Sequence, residues 1–238
     1  MDESLGIRLE GLCKSYGKNS VLEKLDLQIP AGRIVGLMGP NGCGKSTLLK
    51  IMAGLLTDYS GSITLFGEKP GTFTKSYTSF MTDSSVYPGW KKPAELIRDC
   101  TAFFPDFDAQ KAEEMMRNFS LDLTQPLSTM SKGMQEKVQL ALVMSRRARL
   151  FLLDEPLGGI DPATRYAILE MIKRYYLENS TLIISTHLVQ DIEPIFNYGV
   201  LLGYRELVLA GDTKVIADTY HKSLGDIFKE VFSCLANF

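Results

Sequence analysis

The residues that most clearly imply chemistry form a glycine-rich segment, GPNGCGKST, at positions 39–47. It matches the pattern G-x-x-x-x-G-K-[ST], in which glycines let successive backbone N–H groups turn toward a polyphosphate. The helix that follows such a loop directs its positive N-terminal end at the same anion. In this pattern Lys45 reaches the terminal phosphates and the Ser46 hydroxyl binds Mg²⁺.

We call residues 39–47 the phosphate loop and predict that it binds a nucleotide; a chance match in a glycine-rich turn is the alternative. The residues predicted to line the nucleotide are Gly39, Pro40, Asn41, Gly42, Cys43, Gly44, Lys45, Ser46 and Thr47. Cys43 lies near the start of the predicted helix, where the pKa of a thiol tends to fall. The sequence therefore predicts a Cys43 that reacts with maleimides and is protected by bound nucleotide.

A second candidate pair, Asp154 and Glu155, follows a continuous apolar run at residues 150–153. At the end of a strand beside the phosphate loop, Asp154 would hold Mg²⁺ directly or through water. Glu155 would accept a proton from the attacking water, which is the role of a general base. Two solvated acids that cap a strand are the alternative, and the complete phosphate loop favours the catalytic interpretation.

The hydrophobic pattern predicts the elements that position these side chains. A buried strand over residues 33–38 leads into the phosphate loop, and a helix over residues 46–53 leaves it. Alternation of apolar and polar residues from Ile7 to Ile29, around a turn at residues 16–20, predicts an antiparallel pair of strands. Further strands are predicted over residues 62–66, 77–81, 150–154 and 181–185.

Helical spacing of apolar residues predicts the remaining elements. Helices are predicted over residues 94–104, 109–119, 134–145 and 162 to about 177, with two short helices over 213–238. Asp108 is the predicted N-cap of the second of these. Alternation of apolar strands with helices predicts a parallel sheet covered on both faces, which the helical stretch from about residue 93 to residue 145 interrupts.

Composition limits the class of protein. The 238 residues, 45% of them hydrophobic, suffice for one large domain. A formal net charge of −2 argues against a nucleic-acid binder that relies on bulk positive charge. The four cysteines lie far apart, which predicts reduced thiols rather than a zinc site or a disulfide framework. The N-terminus has no signal-peptide pattern and no apolar run approaches ~20 residues, so we expect a soluble, intracellular chain.

Three further segments are informative beside the phosphate loop: MSKGMQ at residues 130–135, DEPLGGID at 154–161 and STH at 185–187. With them, nearly the whole chain resembles the nucleotide-binding subunit of an ATP-binding cassette (ABC) transporter, most of all bacterial ABC-2-type exporter ATPases. The first segment departs from the family's Leu-Ser-Gly-Gly-Gln at three of five positions but keeps the serine and the second glycine, as Ser131 and Gly133.

The resemblance implies roles for individual residues. Ser131 and Gly133 would contact the γ-phosphate bound by a facing chain, although a serine-capped helix is the alternative. Asp161 would lie at the interface between the chains. His187 would sense the γ-phosphate and help to orient the water, and an ordinary surface histidine is the alternative. Tyr16 would stack on adenine, against the alternative of a solvent-edge tyrosine.

One departure from the family concerns the metal ligands. The family has Gln at the end of the strand that leads into the helical stretch, and Asp83 aligns with that position. An oxygen ligand for Mg²⁺ is retained, but a carboxylate adds negative charge near the phosphates. The implied metal ligands are therefore Ser46, Asp83 and Asp154, with Asp83 as a solvated loop acid the alternative.

The resemblance implies a single α/β domain over residues 1–238, of the phosphate-loop NTPase (RecA-like) class. Its parallel sheet core would carry an N-terminal antiparallel β subdomain, a helical insert at about residues 84–145 and a short C-terminal extension at about residues 205–238. The insert would contact a membrane subunit. Most of its aromatic residues are expected in its core, with Tyr87 and Trp90 exposed; the set is Tyr87, Trp90, Phe103, Phe104 and Phe107.

The implied function is that of an ATPase, with ATP and Mg²⁺ as cofactors and Glu155, His187 and Lys45 as catalytic residues. It would drive a separate integral-membrane permease, an exporter, from the cytoplasmic face of the membrane. The chain would work as a homodimer or heterodimer, without nucleic acid. The alternatives are a soluble ABC ATPase without a transport role, and a regulatory ATP-binding subunit with little turnover.

Overall fold

The computed structural model describes residues 5–233, which form an α/β fold built on two sheets. In this range the strands are β1 (Leu5–Tyr16), β2 (Asn19–Pro30), β3 (Ile34–Met38), β4 (Ser60–Leu65), β5 (Thr78–Met81), β6 (Leu150–Asp154), β7 (Thr181–Thr186), β8 (Tyr198–Leu202) and β9 (Leu207–Asp212). The α-helices of the same range are α1 (Lys45–Met52), α2 (Thr72–Ser76), α3 (Pro93–Phe103), α4 (Ala109–Asn118), α5 (Lys132–Met144), α6 (Pro162–Tyr175), α7 (Val189–Ile192), α8 (Thr213–Tyr220) and α9 (Leu224–Ser233).

The first sheet has three antiparallel strands in the order β2-β1-β4. The predicted pair of strands is confirmed as β1 and β2, and Tyr16 pairs with Asn19 across the turn. Gly17 in that turn has a φ of +59°, which glycine adopts without steric penalty. Buried side chains of this sheet share one hydrophobic cluster with Leu48 and Leu49 of α1, so the sheet holds the helix that leaves the phosphate loop.

The second sheet has the order β5-β6-β7-β3-β8-β9 and carries helices on its other face. Its first five strands are parallel, as predicted, and alternate side chains of β6 enter different cores. Leu150 and Leu152 join the cluster beneath the first sheet, whereas Phe151 and Leu153 join the cluster beneath the helices. Because both faces are buried, the strand is apolar throughout.

β8 and β9 are additions to the predicted strands. β8 is short and contains Gly199, and β9 is only half-buried, so neither gives a strong local strand signal. β9 runs antiparallel to β8, so the sheet is mixed rather than wholly parallel.

The helical insert is confirmed as a set of packed helices, α3, α4 and α5. Asp108 caps α4 as predicted, because its side chain accepts a hydrogen bond of 3.0 Å from the Lys111 backbone N–H. Buried Arg146 follows α5 and ties the insert to the main sheet. Its guanidinium donates to the carbonyls of Ser76 and Thr78 and forms an ion pair with Asp106 in the insert.

The expectation that most aromatic side chains of the insert lie in its core is wrong. Phe103 is 79% exposed and Phe104 39%, whereas Trp90, which was expected on the surface, is 68% exposed. Tyr87, expected on the surface, is instead half-buried and packs against the core. The interior of the insert is filled by other buried side chains, which leave little room for these rings: Leu96, Ile97, Ala112, Met115, Met116 and Phe119.

The two predicted C-terminal helices are confirmed as α8 and α9 as far as residue 233; residues 234–238, including Cys234, lie outside the described residues. Asp212 caps α8 by accepting from the Lys214 backbone N–H. α9 packs on α7, and the Gly225 backbone N–H donates to the Glu193 carboxylate at 2.7 Å. Over residues 5–233, none of the helices combines the length and the apolar character needed to cross a membrane.

Candidate active site

The candidate site lies where three neighbouring parallel strands end. β3 ends at Met38, before the phosphate loop; β6 ends at Asp154, before Glu155; and β7 ends at Thr186, before His187. Met38 pairs with Thr186, and Asp154 with Ser185. The sheet register therefore brings together residues far apart in the chain, at the edge where ligands of such sheets bind.

The phosphate loop depends on two residues in the left-handed region. Gly42 has a φ of +81° and Gly44 a φ of +107°, which disfavour any residue with a Cβ atom. The loop leads into α1, and the side chain of Lys45 is 5% exposed. Lys45 Nζ donates to the carbonyl oxygens of Gly39 at 2.8 Å and Pro40 at 3.1 Å, so the loop wraps around the ammonium group.

Asp154 is fully buried and held by two hydroxyl groups. The Ser46 Oγ donates to its Oδ1 at 3.0 Å, and the Ser185 Oγ donates to the same oxygen at 2.7 Å. Burial raises the pKa of the Asp154 carboxyl, and the two hydroxyl hydrogen bonds oppose that rise.

The other oxygen of Asp154, Oδ2, is buried and accepts no hydrogen bond from any described residue. A buried carboxylate oxygen without a partner, beside the hydroxyl of Ser46, is a donor set that suits Mg²⁺. The residues present therefore fit the cation that the sequence predicts.

Glu155 lies between two basic groups. Lys45 Nζ is 3.2 Å from its Oε1, and His187 Nδ1 is 2.9 Å from its Oε2. In the tautomer with its proton on Nδ1, His187 donates this hydrogen bond to the carboxylate. Glu155 Oε1 accepts no hydrogen bond from the described residues, so its contact with Lys45 is an ion pair without hydrogen-bond alignment.

The backbone of Glu155 is strained, with a φ of +49° that non-glycine residues seldom adopt. Two hydrogen bonds support it. Its N–H donates to the Ser185 Oγ at 2.9 Å, and its carbonyl accepts from the Gly158 N–H at 3.0 Å. Ser185 thus supports both carboxylate residues, since the same hydroxyl donates to Asp154.

The candidate residues for contact between chains begin helices. The Ser131 side chain caps α5 by accepting from the Met134 N–H at 3.3 Å, and the Asp161 side chain caps α6 by accepting from the Thr164 N–H at 3.0 Å. Hydrogen bonds from the Thr164 side chain and from its backbone N–H lower the pKa of Asp161. A Cβ atom on Gly133 would lie 3.3 Å from the Thr164 methyl group, so α5 begins close to the first turn of α6.

Tyr16, the candidate adenine platform, is 49% exposed. Lys14, which the sequence analysis did not single out, lies beside Tyr16. Its Nζ is 4.9 Å from the centre of the Tyr16 ring and forms an ion pair of 2.9 Å with Asp58. Asp83 is exposed and lines a cavity of about 270 Å³ together with Glu155. The metal-ligand role of Asp83 stays a prediction.

The expectation of a lowered pKa for the Cys43 thiol is wrong. Its thiol is 1% exposed, and burial raises its pKa more than the nearby Lys45 lowers it. The reason is packing inside the loop, since a Cβ atom on Gly39 would lie 2.5 Å from the Cys43 Sγ. Burial therefore opposes the effect that the helix N-terminus would have on this thiol.

Ser185 and Lys14 are the functional candidates that sequence reasoning passed over. Ser185 directly follows three apolar residues in β7, a signal that a buried hydrogen bond is needed. Lys14 stands two residues before Tyr16 on β1, so both side chains lie on one face, and this spacing is the available signal.

Known proteins similar to this chain share one family. A profile of the ABC transporter family matches residues 22–158. The ABC transporter ATP-binding protein YtrB of Bacillus subtilis (strain 168) is 30% identical over 219 residues, which cover 91% of this chain and 75% of YtrB. The aliphatic sulfonates import ATP-binding protein SsuB of Pectobacterium atrosepticum is 33% identical over 188 residues, 78% of this chain and 69% of SsuB.

A solved structure supports the fold. The structure of an ATP-binding subunit of an ABC transporter superposes with a TM-score of 0.83 at 24% identity, and covers 94% of this chain and 98% of its own. At this identity the likeness is one of fold.

The burial of Cys43 generates a prediction about labelling. Cys43 should react with a maleimide slower by about an order of magnitude or more in the folded chain than in denaturant, because its thiol is buried and protonated. Mass spectrometry of the digested protein measures the rate for each cysteine, and the half-exposed Cys13 is the internal control. Labelling of Cys43 as fast as that of Cys13 would contradict this account.

Proposed function

Because this chain belongs to the ABC transporter family and is an ATPase, we propose that it powers a separate integral-membrane permease. The observation that carries the catalytic part of this proposal is the position of Glu155, between Lys45 at 3.2 Å and His187 at 2.9 Å and next to buried Asp154. This arrangement combines a phosphate-binding cation, a candidate base and a group that orients it.

We assign each side chain a step. Lys45 binds the β- and γ-phosphates of ATP, while Ser46 and Asp154 would hold Mg²⁺. Bound there, the cation would supply positive charge against the negative charge that develops on the phosphates. Glu155 accepts a proton from the attacking water, and His187 donates from Nδ1 to keep that carboxylate in place.

The contacts of Lys45 indicate that ATP binding precedes proton transfer to Glu155. Its ammonium is satisfied by two loop carbonyls and by Glu155. Phosphate oxygens are stronger acceptors than carbonyls for a cation. We therefore propose that ATP draws Lys45 away from Glu155 and leaves that carboxylate free to take a proton.

A head-to-tail dimer would complete each site. Ser131 and Gly133 begin α5, and a helix N-terminus is suited to an anion. We propose that they meet the γ-phosphate held by the facing chain. The hydrogen bond from the Met134 N–H to Ser131 leaves its hydroxyl proton available to a phosphate.

The permease would dock on a groove between the insert and the main sheet. This groove, of about 230 Å³, is lined by residues that include Tyr87, Cys100, Phe104 and Arg146. Exposed aromatic side chains anchor protein interfaces well, and Phe104 stacks on the Arg146 guanidinium at 4.3 Å. Such a contact would keep the chain at the cytoplasmic face of the membrane.

The proposal that transport is outward rests on sequence features alone. The short insert, Met134 and the segment LGGIDP at residues 157–162 favour an exporter with a small, separately encoded permease. One relative, SsuB, carries import in its name, so the family itself does not fix the direction.

Substitution of the proposed base tests the catalytic assignment. Glu155→Gln should lower the rate of phosphate release by about 10²–10⁴-fold while ATP binding persists, because the amide keeps the shape but cannot take a proton. Exposed Glu170 on α6 supplies the matched control, and Glu170→Gln should keep the parent rate. A Glu155→Gln protein as fast as the parent would remove Glu155 from this role.

The same variant tests the dimer. With MgATP, Glu155→Gln should accumulate as a dimer in size-exclusion chromatography with light scattering, because uncleaved γ-phosphate keeps holding Ser131 and Gly133 of the facing chain. Adding Ser131→Arg should abolish that dimer, since the larger side chain fills the space reserved for phosphate. A protein that binds ATP and stays monomeric would contradict homodimer formation in solution.

The groove generates a separate prediction. Phe104→Ser should reduce recovery of the chain with membranes that contain its permease, because it removes an exposed aromatic anchor. ATP hydrolysis by the purified chain should stay within about twofold of the parent, since Phe104 lies outside the nucleotide site. Tyr166→Ser, which removes a ring that is 68% exposed on α6, is the control. Equal membrane recovery of the Phe104 variant and the parent would contradict docking at this groove.

A further inference from the structure

Lys132 stands where the family motif has a glycine, and its side chain reaches across to the segment that follows Glu155. Its Nζ donates to the Gly158 carbonyl at 3.1 Å and lies 3.7 Å from the Glu136 Oε1. The side chain is 63% exposed, so burial alone does not fix its position; these two acceptors do.

The receiving segment, residues 155–161, has room for this ammonium group because of a second glycine. A Cβ atom on Gly159 would lie 2.6 Å from the Lys132 Nζ. Gly159 also has a φ of +71°, which disfavours other residues. The glycine pair thus presents a carbonyl oxygen and an open space to Lys132 at the same place.

The contact lies one hydrogen bond away from Glu155. The Gly158 N–H donates to the Glu155 carbonyl at 3.0 Å, and the Gly158 carbonyl accepts from Lys132. Glu155 keeps its strained φ of +49° only while its surroundings hold it. Lys132 is therefore a support for that backbone, beside the hydrogen bond from Glu155 to Ser185.

The Glu136 carboxyl group favours a cationic side chain at position 132. Its Oε2 is buried and accepts no hydrogen bond from the described residues, and burial raises the pKa of its carboxyl. Asp83, Glu136 and Glu155 line one cavity of about 270 Å³, and Lys132 is the one cationic residue in the described lining. Its charge compensates carboxylates that would otherwise repel one another.

We propose that Lys132 is a positioning residue for Glu155, which fixes the segment of residues 155–161 against the first turn of α5. The proposal rests on the proposed role of Glu155 as the base. It also connects the nucleotide sites of the two chains, because α5 begins with Ser131 and Gly133, which we assign to the γ-phosphate of the ATP bound by the facing chain. Movement of α5 would then reach Glu155 of the same chain through two successive hydrogen bonds, from Lys132 to Gly158 and from Gly158 to Glu155.

The test compares steady-state kinetics of Lys132→Met, Lys132→Arg and the parent. We expect Lys132→Met to lower kcat by on the order of tenfold, with the KM for ATP changed by less than about twofold, because positioning of the base and not nucleotide binding is lost. Lys132→Arg, which keeps a cationic donor, should recover most of that loss. Lys173→Met, which removes an exposed lysine from α6, should match the parent.

A background with Glu155→Gln separates positioning from direct phosphate contact. Lys132→Met should lower the residual rate of Glu155→Gln by less than about twofold, since there is no base left to position. Its ATP-dependent dimer should persist. Loss of that dimer, a raised KM or an additive loss of rate would overturn the proposal. Such a result would indicate that Lys132 contacts the phosphate bound by the facing chain. Should Glu155→Gln alone match the parent, the proposed role of Glu155 as the base fails whatever Lys132 does.

Discussion

Compensation of buried charge at the carboxyl edge of the larger sheet governs how the site is built. Asp154 is fully buried, and the side chains of Lys45 and Glu155 are 5% and 17% exposed. Charged groups removed from water need partners, and each here has one. Ser46 and Ser185 donate to Asp154, while Lys45 and His187 flank Glu155. The parallel sheet register is what brings these partners together.

The backbone adapts to this requirement at a few positions. Gly42 and Gly44 allow the phosphate loop to close around Lys45, and both have positive φ values. Glu155 adopts a left-handed conformation without being glycine, and Ser185 and the Gly158 turn support it. Strain of this kind is maintained where the surroundings determine it, and it is concentrated here beside the candidate base. The departure at Lys132 is consistent with the same constraint, since it adds a support.

Much of this architecture could be predicted because its signals are local. The phosphate loop, the apolar strand before Asp154 and the Asp108 cap are each encoded within a few residues. What failed depends on tertiary packing. Burial of Cys43 reverses the effect of the helix N-terminus, and Phe103 and Phe104 lie at the surface of the insert while other side chains fill its interior. The direction of β9 and the contact of Lys132 with Gly158 have no local signature, since they depend on partners distant in the chain or on glycine conformation.

The measurement that tests the central claim most directly is calorimetric titration of ATP into the parent and into Lys45→Ala. If Lys45 is held in the loop to receive phosphate and to balance Glu155, the variant should lose most of its ATP affinity. Its circular dichroism spectrum should stay like that of the parent, because the alanine does not disturb the core. Unchanged ATP affinity in Lys45→Ala would contradict the account.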